Sequence, residues 1–171
     1  MNLGQRFVER LRWLAEGEGL LASPDAPLLV AAAGDRRTVE AVVCELGRLA
    51  AEFRCLRVRV DAQAEPREEA LVRASRSIAE RVSYLLERLD AIESDPATAR
   101  LQMRSVPPRR RGDRLEYYEL LLAAEDGGLQ AELRRWTKTA GRRELAPIHL
   151  TAEVVERLID DLADSLLAAS G

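Results

Sequence analysis

Hydrophobic positions change their period several times along this chain, and each period predicts an element. Over residues 3–16, Leu3, Phe7, Leu11 and Leu14 recur at steps of three and four, with Arg6, Glu9, Arg10 and Arg12 elsewhere. That is the spacing of an amphipathic helix, and Gly17 and Gly19 end it. "PLLVAAAG" reads as a short strand over 28–33, or as a helical segment opened by Ser23-Pro24 and closed by Gly34; the strand is preferred. From Arg36 to Phe53 the apolar residues Val39, Val42, Val43, Leu46, Leu49, Ala50 and Phe53 take helical spacings and predict a helix. "CLRVRVDA" then alternates, with Leu56, Val58 and Val60 against Arg57, Arg59 and Asp61, as a half-exposed strand does.

Pro66 opens the longest predicted helix, which runs to about Ser94 on Leu71, Ile78, Val82, Leu85, Leu89 and Ile92. From Ile78 its steps of four and three are those of a coiled coil, which makes self-association credible. Beyond Pro96 the pattern becomes β. "ARLQMRS" alternates, and "VPPRRRGD" predicts a loop because two prolines and a glycine suit no sheet interior. "RLEYYELLLAA" and "GLQAELRRWTK" form a hairpin around "EDGG". "GRREL" reads as a second turn, "PIHL" as a short fourth strand, and Thr151 caps a last amphipathic helix. The expected fold is α+β in one domain over 1–171. Residues 1–95 are mainly helical with one or two strands, and 96–171 form a three- to four-stranded antiparallel sheet plus a C-terminal helix. Helices lie on one face, and the strand at 56–60 pairs at the edge or in a βαβ unit with 28–33.

Composition adds little to that picture until charge is mapped. The 171 residues are 47% hydrophobic and 32% charged, enough apolar material for a core. Positive charge is nearly all arginine, Lys138 being the one lysine, a bias that reads as GC-rich bacterial coding. No signal-like segment and no run of 18 apolar residues occurs, so the chain reads as cytoplasmic, without a membrane partner. Cys44 and Cys55 read as small buried apolar residues.

Reaction chemistry is not specified by any motif. There is neither a G-x-G-x-x-G nor a G-x-x-x-x-G-K-[ST] phosphate cradle, and no G-x-S-x-G elbow. His149 is the one histidine and reads as an exposed strand residue, so no catalytic residue, metal ligand or cofactor is assigned. Asp160, Asp161 and Asp164 read as the solvated face of the last helix.

Between Arg100 and Arg143 eleven basic residues face six acidic ones, so this segment is +5 in a chain of −3. If Leu129, Ala131 and Leu133 point to the core, then Gln130, Glu132, Arg134, Trp136 and Lys138 share the opposite face. Arg100, Gln102 and Arg104 line up outward on their own strand, and Tyr118 is assigned outward on the middle one. Guanidinium groups interleaved with exposed aromatics suit single-stranded nucleic acid, where cations meet phosphates and rings stack on bases. The candidate binding set is therefore Arg100, Arg104, Arg109, Arg110, Arg111, Tyr118, Arg134, Trp136 and Lys138.

The segment "LQAELRRWTKTAGRRELAPIHLTAEVVERLIDDL", with its alternate arginines, basic turn, short strand and helix, resembles the positive-cofactor-four and Whirly families of single-stranded-DNA-binding proteins. That resemblance covers about a fifth of the chain and implies oligomers that bind nucleic acid on their sheets. The residues themselves favour a non-enzymatic regulatory protein acting through protein–protein contacts, as a homodimer; single-stranded nucleic-acid binding through the basic sheet face is the alternative.

Overall fold

Among the described residues, 1–17, 22–62 and 68–171, the computed structural model contains three helices and ten strands. Helix α1 (Leu3–Glu16) leads into strands β1 (Leu28–Gly34), β2 (Arg37–Leu46) and β3 (Ala50–Asp61), then helix α2 (Glu68–Arg81). Strands β4 (Leu89–Asp95), β5 (Arg100–Ser105), β6 (Arg109–Arg111), β7 (Arg114–Glu125), β8 (Gly128–Thr139), β9 (Arg142–Ala146) and β10 (Ile148–Thr151) follow, and helix α3 (Ala152–Ala169) closes the chain. Gly19 and Pro66, on which the sequence sets a helix end and a helix start, lie outside the described residues.

All ten strands join one sheet: seven follow the path β1-β2-β3-β8-β7-β5-β4, β6, β9 and β10 branch from β7, β8 and β3, and every pair is antiparallel. Its central hairpin is shared between neighbours. Gly128–Leu133 of β8 pairs with β3, while Arg135–Thr139 pairs with β9. On the other side, Glu119–Ala123 of β7 pairs with β5 and Arg114–Glu116 with β6. The sheet therefore forks, and β6-β7-β8-β9 runs out as a four-stranded arm. At Pro147 the chain leaves the arm, and β10 returns to pair with the start of β3.

Among the described residues, helices cover one face only. Strand residues Leu56, Val58, Val60, Leu120, Leu122, Leu129 and Leu133 meet Phe7 and Leu11 of α1, Leu71 and Ile78 of α2, and Val155, Ile159 and Leu162 of α3 in one buried cluster. Backbone caps fix the helix ends: the Asn2 side chain accepts from the Gln5 N–H and Thr151 from the Val154 N–H. α1 meets α3 through Gly4, where an added Cβ would lie 2.2 Å from the Glu156 carbonyl oxygen; the Gly4 N–H donates to Asp160 at 2.9 Å.

Several expectations are corrected. The sheet has ten strands, not three or four, and the N-terminal half supplies β1, β2 and β3, so it is not mainly helical. Segment 28–33 is a strand, and 56–60 lies inside the sheet between β2 and β8, neither at an edge nor in a βαβ unit. The helix expected over 36–53 is a β-hairpin. There Val39, Ala41 and Val43 alternate toward the core, but register shifts leave Cys44 and Arg54 without cross-strand partners. These bulges change the phase of the alternation and produce four-residue spacings that imitate a helix.

The helix expected to reach Ser94 stops at Arg81. Val82, Leu85 and Leu89 are buried as the stripe implied, but on a turn and a strand, with Leu86 at a positive φ of 61°. The loop expected over 106–113 contains β6, at an edge as its prolines require, closed on β7 by a turn with Gly112 at φ 62°. "GRREL" is mostly strand; the turn is Ala140-Gly141, where both residues have positive φ, as do Asp126 and Gly127.

Candidate functional site

Pleating divides the candidate residues between two faces. On the helix-free face lie Arg100, Arg104, Arg134, Trp136 and Lys138, as expected, and Arg110, which pairs with Leu115. Arg109 and Arg111 point the other way, with Arg114 and Glu116. So does Tyr118: it is buried in line with Leu120 and Leu122, which corrects its outward assignment. "YYELLL" is apolar at both parities, so its sequence held no signal for which tyrosine faces out. Tyr117 lies on the helix-free side, opposite Trp136, but is as buried as Tyr118 beneath its neighbours.

On the helix-free face stands Glu119, a carboxylate flanking the tyrosine pair in the sequence and outside the candidate binding set. Glu119 accepts from the Trp136 indole N–H at 3.2 Å and from Arg143 at 2.7 Å through one oxygen; Arg104 at 3.3 Å and Gln102 reach the other. The guanidinium of Arg143 stacks 3.6 Å from the Trp136 ring centre, and that of Arg104 lies 4.8 Å from Tyr117. Arg104 Nε, buried beside the ring, has no acceptor among the described residues. A second carboxylate, Glu132, is held between Arg57 and Arg134. The register explains both clusters: Glu119 is cross-strand from Arg104 and Arg134, and Glu132 from Arg57. Trp136 is thus half-buried by its own neighbours, outside the core. Lys138 and Arg110 are exposed and form no ion pair among the described residues, and Arg100 reaches Glu125 only at 4.0 Å. Exposed Leu121 and Leu145 flank the aromatic pair.

On the opposite side, beyond the helices, the arm and the β9–β10 corner enclose a cleft of about 410 Å³. Arg109, Arg111, Arg114, Arg135, Thr137 and His149 line it, with Tyr118 and Glu116 at its floor. Arg135 stacks 4.6 Å from the Tyr118 ring and reaches Glu116 at 3.2 Å and Glu87 at 3.6 Å. Burial disfavours the Glu116 carboxylate, but the hydrogen bond and charge of Arg135, with Arg114 and Arg111, outweigh it and hold its pKa below the ordinary value. His149 is exposed, 3.5 Å from Glu52.

Cys44 is buried and Cys55 half-buried; burial pushes both thiols up, which disfavours the reactive thiolate. The last-helix acids are more engaged than a solvated face would be: Asp160 holds α1, and Asp161 accepts from the Tyr84 hydroxyl at 2.9 Å. Among the described residues no cluster of three His, Cys, Asp or Glu could hold a metal ion, and no helix is long and apolar enough to cross a membrane. Comparison with known proteins finds no matching family model, no similar curated protein and no similar solved structure.

Proposed function

We propose that this chain is a non-catalytic binding protein that works as a homodimer joined along β1 and receives a protein partner on its helix-free sheet face. The observation that carries the reading is a contrast between the two ends of the sheet. β1 reads Leu-Leu-Val-Ala-Ala-Ala-Gly, with no charge and no proline, and forms seven consecutive pairs with β2 without a bulge. Its Leu29 is 70% exposed. β4, at the other end, carries Asp90, Glu93 and Asp95 and is bulged between Ala91 and Glu93. Charges and bulges are how an edge strand refuses further strands; β4 has both and β1 has neither.

Every second residue of β1 turns its N–H and C=O away from β2, and no described element pairs with them. A second copy, antiparallel across a two-fold axis, satisfies those groups and covers Leu29 and Ala31. The two sheets then present one extended face. Tyr, Trp and Arg are the side chains that dominate protein interfaces, and Trp136, Arg104 and Arg143 stand together on each copy's β7–β8–β9 region, over the buried Tyr117.

The same arrangement weighs against single-stranded nucleic acid. Glu119 and Glu132 engage Arg104, Arg143, Arg57 and Arg134, and Arg143 occupies a ring surface on which a base would stack. Sedimentation velocity between about 5 and 100 µM tests the dimer. The native chain should sediment as a dimer and the Leu29→Lys/Ala31→Lys variant as a folded monomer; a native monomer throughout this range overturns the reading. Fluorescence anisotropy with a labelled single strand at low salt tests the other class. Binding that weakens steeply with added salt and is lost in Arg100→Ala/Lys138→Ala would replace the protein partner with nucleic acid.

A further inference from the structure

The cleft on the arm lies on the opposite side of the sheet from the proposed partner face and far along it from β1, so it calls for a separate explanation. Four guanidinium groups border it, yet its floor supplies one carboxylate, Glu116, which is committed to Arg114 at 3.3 Å and Arg135 at 3.2 Å. Arg109 and Arg111 form no ion pair and no side-chain hydrogen bond among the described residues. Repulsion between like charges on so short a strand is tolerated at little gain to the fold, because β6 buries nothing: all three of its residues are exposed. The unpaired guanidinium groups of Arg109 and Arg111 are therefore open to solvent at the cleft.

A second hollow, of about 610 Å³, adjoins the first and shares Arg109, Tyr118 and Arg135 with it. Its other walls are Leu85, Leu86, Val106, Pro107 and Pro108, with Glu87, already engaged by Ser105 and Arg135, and Arg88 at one side. Leu86 is 96% exposed and Val106 41% exposed, and Leu86 holds a left-handed backbone that a side chain disfavours. Large apolar side chains held open in this way beside a cationic cleft describe a two-part receptor. One part is polar and positive, the other greasy, with Tyr118 and the Arg135 guanidinium at the join.

The geometry points to a binding site for a phosphate monoester carried on an apolar or aromatic body. Arg109 and Arg111, which have no carboxylate partner among the described residues, take the phosphate beside the carboxylate-paired Arg135, and the Leu86–Pro107 hollow takes the body. A carboxylate is satisfied by one guanidinium fork, whereas the three terminal oxygens of a phosphate dianion engage several. Thr137 adds a hydroxyl at the polar end.

Isothermal titration of the full chain at low salt, with phenyl phosphate, inorganic phosphate and phenol as probes, tests this, with arginine Nε–H NMR shifts reporting which side chains respond. Phenyl phosphate should bind in the millimolar range or tighter, at least threefold more tightly than inorganic phosphate, with phenol silent. Arg109→Ala/Arg111→Ala, exposed positions whose loss spares the core, should weaken phenyl phosphate at least tenfold. Arg104→Ala, on the other face, should leave it unchanged. No binding of phenyl phosphate at 10 mM, equal binding of phenol, or indifference to the double variant would overturn the site; equal affinity for inorganic phosphate would overturn its apolar half. The Leu29→Lys/Ala31→Lys chain should bind phenyl phosphate as the native chain does, so failure of the dimer and failure of the cleft are read separately.

Discussion

Gly4 is where a single hydrogen decides whether two helices meet. Its added Cβ would lie 2.2 Å from a backbone oxygen of α3, which no side-chain adjustment relieves. Gly4→Ala is expected to destabilise the fold by about 1–3 kcal/mol in urea unfolding. Gly17→Ala, whose Cβ meets nothing closer than 3.5 Å, should stay within about 0.5 kcal/mol. Glu119 is the corresponding polar position. Removing its carboxylate in Glu119→Ala leaves Arg104, Arg143 and the Trp136 indole without their acceptor, at a cost of about 1.5–3 kcal/mol. In a Trp13→Phe background, Trp136 emission should shift to the red as the ring loosens. The sequence made the helix-free placement of Arg100, Arg104, Arg134, Trp136 and Lys138 legible, because strict alternation around Leu129, Ala131 and Leu133 leaves one choice. Tyr118 and the role of Glu119 were not legible, since β7 is apolar at both parities and a carboxylate's cross-strand neighbours depend on register.

Elements were legible where their period was clean and were misread where bulges or turns interrupted it. α1, the β7–β8 hairpin and α3 follow the pattern directly, with Gly127 at φ 69° in the hairpin turn. Gly127→Val, forced into that left-handed backbone, should lower stability by about 1–2 kcal/mol. By contrast, the paired bulges at Cys44 and Arg54 disguised two strands as a helix, and the turn around Leu86 let a strand continue a coiled-coil stripe. Burial was legible only in part: Val39, Val43, Phe53, Val82, Leu85 and Leu89 reach the core under either geometry, whereas Leu49 and Ile92, placed on the same stripes, are exposed.

The β6–β7 arm has a titration of its own. Glu116 is held below its ordinary value near 4.5, so its ion pairs contribute fully above that pH and are lost as pH falls through the lower native value. The native arm should therefore lose stability below about pH 4.5. Glu116→Gln should flatten that dependence in pH-resolved urea unfolding; an unchanged profile would remove the pairing with Arg135 as its cause.

For the whole molecule, the fork of the sheet and the placing of all helices on one side produce two surfaces where the sequence suggested one. A segment of +5 in a chain of −3 looked like a single basic face, but pleating sends Arg109 and Arg111 to the cleft and sets Arg104, Arg143 and Arg134 against Glu119 and Glu132. Linear charge counts do not carry that sorting, because it depends on which residues share a strand parity. Ends of a sheet are equally invisible until strand order is known: the uncharged apolar run of β1 lies at an edge. Sedimentation velocity of the native chain against Leu29→Lys/Ala31→Lys addresses that edge most directly. A native dimer that the two lysines convert to a folded monomer is the expected result. A native chain that stays monomeric at 100 µM, or a dimer indifferent to both lysines, would contradict the account.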